Sequence, residues 1–216
     1  DYTGGTNLPA SGSFTYTVPS GGSNKMLLLL VSDNGQLGTA TFTQNTVALS
    51  SLTLIPGTIN RAYYRYAYLA APTSGTFAWS LSGQGANPRA AFYVMTLQDT
   101  AQTSPDDTSS VTNSASASSK TTSVTTSVGN DLLISLGAAT TAFSSFGAGE
   151  TQLLTAATGY PLWGSYKAAA STAGSESMTV NLASAGDVDE AVLAIKYLAP
   201  TATTVTVQVP TIMIFD

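Results

Sequence analysis

The densest group of acidic side chains lies near the C-terminal end of the chain. Asp187, Asp189 and Glu190 fall within four residues, directly before an apolar run. Carboxylate oxygens are the ligands that calcium prefers in proteins, so this cluster predicts a calcium site. Its spacing does not match an EF-hand loop, and a solvated acidic turn is the favoured interpretation, with calcium second. A glycosidase-type carboxylate pair is the least favoured interpretation.

An aromatic segment, residues 61–68, supplies a second set of candidate residues. Its order is Arg-Ala-Tyr-Tyr-Arg-Tyr-Ala-Tyr, and side chains alternate between the two faces of a strand. We expect one face to be core and the other to be exposed, where aromatic rings and guanidinium groups can stack on sugars or contact a neighbouring subunit. The core face would carry Tyr64, Tyr66 and Tyr68, and the exposed face Arg61, Tyr63 and Arg65.

The residue inventory excludes several classes of function. The chain has no Cys and no His, which removes cysteine nucleophiles, histidine triads, disulfides and zinc sites that use these ligands. The formal net charge of -5 offers no basic surface for nucleic acid. No glycine-rich nucleotide-binding motif precedes a helical segment. We therefore expect a protein that is not an enzyme and that has no cofactor. The one exception would be calcium bound by the acidic cluster described above.

The composition points to a location outside the cell. Only 9% of the residues are charged, against about 25% in an average soluble protein. Thr and Ser, 33 and 27 residues, take their place. The longest apolar run, residues 26–31, is far shorter than the ~20 residues of a membrane span. The chain starts at Asp1 without a leader, as a mature secreted chain would. We expect an extracellular or cell-surface protein, with a virion surface as the alternative.

Alternating apolar and polar residues dominate the chain and predict strands. About a dozen short segments of this kind are separated by turn signals such as Asn34-Gly35. This spacing predicts an all-β fold, an antiparallel two-sheet sandwich of jelly-roll type with an extended C-terminal strand. Residues 98–118 are predicted to be a long surface loop, because they are rich in Ser, Thr and Ala.

The predicted domain organisation has three parts. Residues 1–11 form an N-terminal extension, residues 12–199 one β-sandwich domain, and residues 200–216 an apolar C-terminal strand. Pro200 marks the break before that strand, because proline cannot continue a ladder of hydrogen bonds.

Five short motifs carry a resemblance, and they occur in this order: Phe14-Thr15-Tyr16-Thr17-Val18-Pro19, Leu30-Val31-Ser32, Pro72-x-x-Gly75-Thr76, Gly129-Asn130-Asp131-Leu132-Leu133 and Gly147-Ala148-Gly149-Glu150-Thr151. The set resembles Ser/Thr-rich, jelly-roll-like β-sandwich modules of secreted, cell-surface and phage fibre-like proteins, which mostly have no assigned function. It covers about residues 12–199. The chain departs from such modules at Gln44-Asn45-Thr46, where they tend to have Asn-Gly. Because threonine tolerates left-handed geometry poorly, we expect a different turn there.

The C-terminal segment has the clearest apolar pattern. Alternate positions from residue 205 onward are mostly apolar, and an exposed strand of this kind is prone to aggregation unless it is covered. Three structures could cover this strand: its own sandwich, a further domain, or a neighbouring copy of the chain. The third is the favoured one, by strand addition. The predicted subunit interface then consists of Val205, Val207, Val209, Ile212, Met213, Ile214 and Phe215.

Together these features predict a non-enzymatic structural subunit of an extracellular filament or surface fibre. Its partners would be copies of itself in a homopolymer assembled by strand donation, and nucleic acid and a membrane span are not expected. The alternatives are a carbohydrate-binding or adhesive surface module, suggested by the Tyr and Trp content, and a virion surface or decoration protein.

Overall fold

A computed structural model describes residues 8–56, 62–158, 160–198 and 211–214, with the backbone alone for residues 110–115, 154–158, 160–162 and 211–214. None of these residues is helical, and the sheets are antiparallel, so the chain is an all-β protein of sandwich character. The described strands are β1 Ser11–Tyr16, β2 Met26–Asp33, β3 Thr39–Gln44, β4 Val47–Ala48, β5 Thr53–Leu54, β6 Tyr63–Ala70, β7 Gly75–Ser82, β8 Ala90–Leu97, β9 Asp107–Thr126, β10 Leu132–Ala139, β11 Phe143–Phe146, β12 Thr151–Thr158, β13 Tyr160–Ala168, β14 Gly174–Ile195 and β15 Thr211–Ile214.

Contacts within the chain divide these strands between two compact units. The sequence, by contrast, predicts one domain over residues 12–199. The N-terminal unit contains Gly5–Leu54, Arg65–Thr103 and Leu198–Asp216. The C-terminal unit contains Ser104–Tyr197 together with Asp1–Gly4 and Ile55–Tyr64. Long apolar strands occur in both units, so each has material for a core of its own.

The N-terminal unit is built from two sheets that enclose a common core. One sheet has the strand order β1-β7-β3-β4, and the other has the order β15-β8-β2-β6-β5. Strands β2 and β8 are central, and all eight residues of each are buried, as their unbroken apolar sequences predict. Alternate residues of both strands, such as Leu29 and Phe92, join Phe77 and Trp79 of the opposite sheet in one cluster.

The β3–β4 hairpin is a two-residue turn in which both central residues are left-handed. Asn45 has φ +49° and Thr46 has φ +68°, and Gln44 pairs with Val47. Positive φ at both positions is the type I′ pattern, whose twist matches the flanking strands. The prediction of a different turn was therefore wrong. The geometry is retained because a residue outside the hairpin stabilises Asn45: the Asn45 Oδ1 accepts a hydrogen bond from the Thr76 N–H at 2.9 Å.

The C-terminal unit is one bent sheet with the order β11-β14-β10-β13-β12, and β9 also pairs with β14. Register shifts between Asn181 and Val188 interrupt the long β9–β14 pair. Residues from both halves of β14 share the same cores: Met178 packs with Val192 and Ala194. Strand β14 therefore bends back over itself, which is the geometry that bulges allow.

Strand β9 corrects the prediction of a surface loop over residues 98–118 for residues 107–118, whereas residues 98–106 lie between β8 and β9. It runs for 20 residues from Asp107 to Thr126, and it pairs with β14 along most of its length. The stretch is polar because few of its described side chains contribute to a core. Pairing with a long partner, which is a non-local property, makes it a strand.

Candidate functional site

The predicted calcium ligands do not converge on one site. Asp187, Asp189 and Glu190 all lie within β14, and not in a turn before the last strand. Successive side chains of a strand point to opposite faces, so Glu190 lies on the other face from the two aspartates. The Asp189 Oδ2 accepts a hydrogen bond from the Ala62 N–H at 3.2 Å. Among the described residues, no group of three or more Asp, Glu, His or Cys could hold a metal ion.

Glu190 instead forms part of a polar cluster inside the C-terminal unit. Its side chain is fully buried, and both carboxyl oxygens lack a hydrogen-bond partner among the described residues. Burial raises the pKa of Glu190 well above its usual 4.5, the charge of Glu150 raises it further, and Thr122 and Lys120 act in the opposite direction. The carboxyl is therefore held in its neutral form over a wide pH range.

Glu150 connects two strands of the same unit through its carboxylate. Its Oε2 accepts from the Ser165 hydroxyl at 2.8 Å, and its Oε1 accepts from the Thr179 N–H at 2.7 Å. The Ser165 and Ser135 hydroxyls are 2.8 Å apart. Both serines are completely buried, so this network joins β13 and β14 and does not meet solvent there. In the sequence Glu150 appears only within the motif of residues 147–151, and no local pattern marks it as a residue that links two strands.

The aromatic strand β6 follows the predicted alternation only at its start, since Tyr68 is half-buried and Ala67, on the face of Tyr63 and Arg65, is completely buried. Tyr64 and Tyr66 are buried, and the Tyr63 side chain is 41% exposed. Arg65 is half-buried, and its Nε lies 2.8 Å from Oδ2 of the fully buried Asp33. Burial raises the pKa of Asp33, and the hydrogen bond and charge of Arg65 oppose that shift. Arg61 lies outside the described residues.

A shallow pocket of about 280 Å³ adjoins Arg65 in the N-terminal unit. Two hydroxyl side chains and a leucine share its wall with the guanidinium group. The complete lining is Gly38, Thr39, Ala40, Ser51, Leu52 and Arg65. Hydrogen-bond donors beside a small apolar surface can bind a polar ring, which is the chemistry expected for this face from the sequence.

Two further carboxyl groups, those of Asp106 and Asp131, lie near the last residues of the C-terminal unit. Asp106 forms an ion pair with Lys196, whose Nζ is 3.2 Å from its Oδ1. Asp131 accepts a hydrogen bond from the Tyr197 N–H at 3.1 Å. Burial raises the pKa of Asp131 to about 6, and the neighbouring Asp106 adds to the shift. The sequence did not single out this pair, because its members are 25 positions apart.

The C-terminal strand pairs with its own chain where it is described. Residues Thr211 to Ile214 of β15 form an antiparallel ladder with Ala91 to Val94 of β8. The preferred prediction, that this segment packs on a neighbouring copy of the chain, is therefore not what these four residues show. Their own sheet covers them, which was one of the three coverings left open. The other predicted interface residues, Val205, Val207, Val209 and Phe215, lie outside the described residues.

Comparison of this chain with protein-family models, with curated proteins and with solved structures finds no match. The resemblance to Ser/Thr-rich surface modules, and the jelly-roll connectivity that it implies, stay predictions.

Among the described residues there is no helix with the length and apolar character needed to cross a bilayer.

Proposed function

We propose that this chain is a non-enzymatic structural subunit of an extracellular filament or surface fibre, whose copies are joined by exchange of strand β15. The observation that supports this most directly is the pairing of β15 with β8. All eight residues of β8 are buried, and without β15 its outer edge would present unpaired backbone groups. A strand must cover that edge, and a second copy can supply the same strand.

Exchange requires no new contact, because the ladder between β15 and β8 is the same whichever copy supplies each strand. Such exchange is a low-cost route from monomers to assemblies. When each copy gives its strand to the next and the ring does not close, the contact propagates as a fibre. The cis pairing described above is then the unassembled state, from which the strand passes to a neighbouring copy.

The balance between the two states is set by concentration. Apolar residues such as Ile212, Met213 and Ile214 contribute ~1.5–3 kcal/mol each when they become fully buried. Ordering a chain segment costs ~1–2 kcal/mol per residue, which offsets much of that gain. A four-residue strand therefore binds weakly enough to be released and captured by a neighbour.

A disulfide trap tests the exchange directly. The chain has no native cysteine, and Thr211 pairs with Val94 in the ladder, so Thr211→Cys with Val94→Cys places two thiols at facing positions. After incubation at high concentration and oxidation, a ladder of covalent oligomers on a non-reducing gel is the expected result. Thr211→Cys with Met95→Cys is the matched control, since Met95 points to the opposite face of β8. Cross-linked monomer alone at every concentration would contradict the proposal.

The pocket beside Arg65 supports a second candidate function, a carbohydrate-binding or adhesive surface module. One of the five N–H donors of Arg65 binds Asp33, which compensates its charge and favours a neutral polyhydroxyl ligand over an anion. The volume of about 280 Å³ suits a ligand of about one sugar ring. Saturable binding on a glycan array that is lost in Ser51→Ala and Thr39→Val, but kept in Ser144→Ala on β11 of the C-terminal unit, would favour this function. No binding to any glycan would exclude it.

A further inference from the structure

The Asn34-Gly35 pair, a turn signal in the sequence, does not form a hairpin. It follows the last residue of β2, and β2 and β3 lie in different sheets of the N-terminal unit. Gly35 has a left-handed φ of +77°, whereas Asn34 does not, so the pair lacks the type I′ pattern. It forms instead an open bend, in which Gly35 is exposed and Asn34 is half-buried.

An asparagine followed by a glycine can lose ammonia without a catalyst. The Gly35 amide nitrogen gives up its proton and attacks Cγ of Asn34, so that a C–N bond forms and the Cγ–Nδ2 bond breaks. The Nδ2 group leaves with that proton as ammonia, and water then opens the cyclic imide to aspartate or isoaspartate. Glycine favours the attack because it has no Cβ to hinder it. Since the bend is open to solvent, burial does not prevent this reaction.

The nucleophile of this reaction is held by the preceding residue. The Gly35 N–H donates to Oδ1 of Asp33 at 2.6 Å. Asp33 is completely buried, and its Oδ2 lies 2.8 Å from Nε of Arg65, which fixes the carboxylate in place. Attack requires negative charge on the Gly35 nitrogen, and a carboxylate beside it disfavours that charge. The hydrogen bond to Asp33 therefore opposes the reaction.

The Asn34 amide group is held by the segment before β8. Its Nδ2 donates to the Asn87 carbonyl at 2.8 Å, and its Oδ1 accepts from the N–H groups of Arg89 at 3.1 Å and Gln36 at 3.3 Å. Two backbone donors at Oδ1 would stabilise the negative charge that this oxygen gains during the attack, as donors of an oxyanion hole do. The surroundings of Oδ1 thus favour the reaction, and the Asp33 carboxylate is the group that opposes it.

We propose that Asn34 is a site of spontaneous deamidation and that the Asp33 carboxylate keeps it unreacted in the folded chain. The reaction follows when the bend opens and the Gly35 N–H leaves Asp33. Its product is permanent and carries a carboxylate that cannot donate to the Asn87 carbonyl, so the bend loses that hydrogen bond. This property does not depend on whether the chain forms fibres.

Mass spectrometry of the full chain, aged at mildly alkaline pH, measures the conversion of Asn34. A synthetic peptide with the sequence of residues 32–37 gives the rate without protection. We expect the folded wild type to deamidate at least about tenfold more slowly than the peptide, since a hydrogen bond to a charged group must first be broken. Equal rates in the protein and the peptide would overturn the proposal.

Asp33→Ala removes the acceptor of the Gly35 N–H and should deamidate at least about tenfold faster than the wild type. Asp99→Ala is the matched control. Asp99 is also buried in the N-terminal unit, but it accepts from the Ser23 hydroxyl at 2.7 Å, so this variant should deamidate at the wild-type rate. Equal acceleration in both variants would show that overall stability protects Asn34, and the role of Asp33 would be refuted.

Asp33→Ser keeps the test decisive if Asp33→Ala does not fold, which circular dichroism detects. The serine hydroxyl can accept from the Gly35 N–H but carries no charge. We therefore expect a deamidation rate between those of the wild type and the peptide. A folded Asp33→Ser that reacts no faster than the wild type would also contradict the proposal.

Discussion

Thr46 has a backbone conformation that β-branched residues rarely adopt. Its φ of +68° places it in the left-handed region, as the type I′ geometry of the β3–β4 turn requires at both central residues. The neighbouring Asn45 stabilises this turn from outside, since its Nδ2 donates to the Ser74 carbonyl at 2.7 Å and to the Thr73 hydroxyl at 2.9 Å. The turn is therefore maintained by Asn45 in spite of Thr46.

Replacing Thr46 by glycine should stabilise the protein. A left-handed conformation costs an L-residue ~1–2 kcal/mol, and glycine avoids that cost but loses ~0.5–1 kcal/mol through its larger unfolded-state entropy. We expect Thr46→Gly to raise the free energy of unfolding by about 0.5–1 kcal/mol, measured by chemical denaturation. Thr46→Ala keeps a Cβ at the same φ and serves as the control. An equal gain in both variants would show that backbone strain is not the cause.

The packing of β10 against β13 depends on a position without a side chain. Gly137 pairs with Trp163 on one side and with Glu190 on the other. The Trp163 ring lies directly over Gly137, where a Cβ would be 1.9 Å from its Cζ2 and 2.4 Å from the Asp189 carbonyl oxygen. The ring is completely buried, so it has little room to move away. This glycine permits the close approach of a large side chain to the sheet.

Gly137→Ala should therefore destabilise the C-terminal unit. Overpacking a well-filled core typically costs ~1–3 kcal/mol. Gly174→Ala makes the same chemical change on β14, where a Cβ would meet no atom within 4 Å, and it should change stability by less than about 0.5 kcal/mol. Thermal unfolding followed through tryptophan fluorescence compares the two. Similar melting temperatures for the two variants would mean that the Trp163 ring can yield.

At the scale of the whole molecule, buried carboxyl groups decide how stability depends on pH. Burial raises the pKa values of Asp33, Asp131 and Glu190, whereas that of Asp106 is lowered. A group with a raised pKa binds its proton more tightly in the folded state. Its contribution is complete below the unfolded pKa of about 4 and is lost as the pH rises through the folded value.

We therefore expect the melting temperature to be higher near pH 5 than near pH 8. In Glu190→Gln the buried group cannot ionise, so the decline towards alkaline pH should become shallower. Glu176→Gln removes the same charge and keeps an oxygen that can accept from the Ala170 N–H at 2.7 Å, so it should retain the wild-type slope. Differential scanning calorimetry across this range gives the slopes. A flat profile in the wild type would contradict the assigned directions.

The amino-acid sequence alone determined the all-β class and much of the local structure. The unbroken apolar runs in β2 and β8 predicted buried central strands, and both are buried. The alternation in β6 predicted a buried face with Tyr64 and an exposed Tyr63, as observed. These features depend on side-chain polarity along a few residues, which is local information and can be read directly.

Only the tertiary structure decided which distant residues meet. It divided the predicted single domain into two units, paired β15 with β8, and made a 20-residue strand of the polar stretch in β9. It separated Glu190 from Asp189 and brought Asp131 to Asp106. Each of these outcomes depends on strand pairing or burial between segments far apart in the chain. Such contacts leave no local pattern in the sequence, because the choice of partner strand depends on the whole fold.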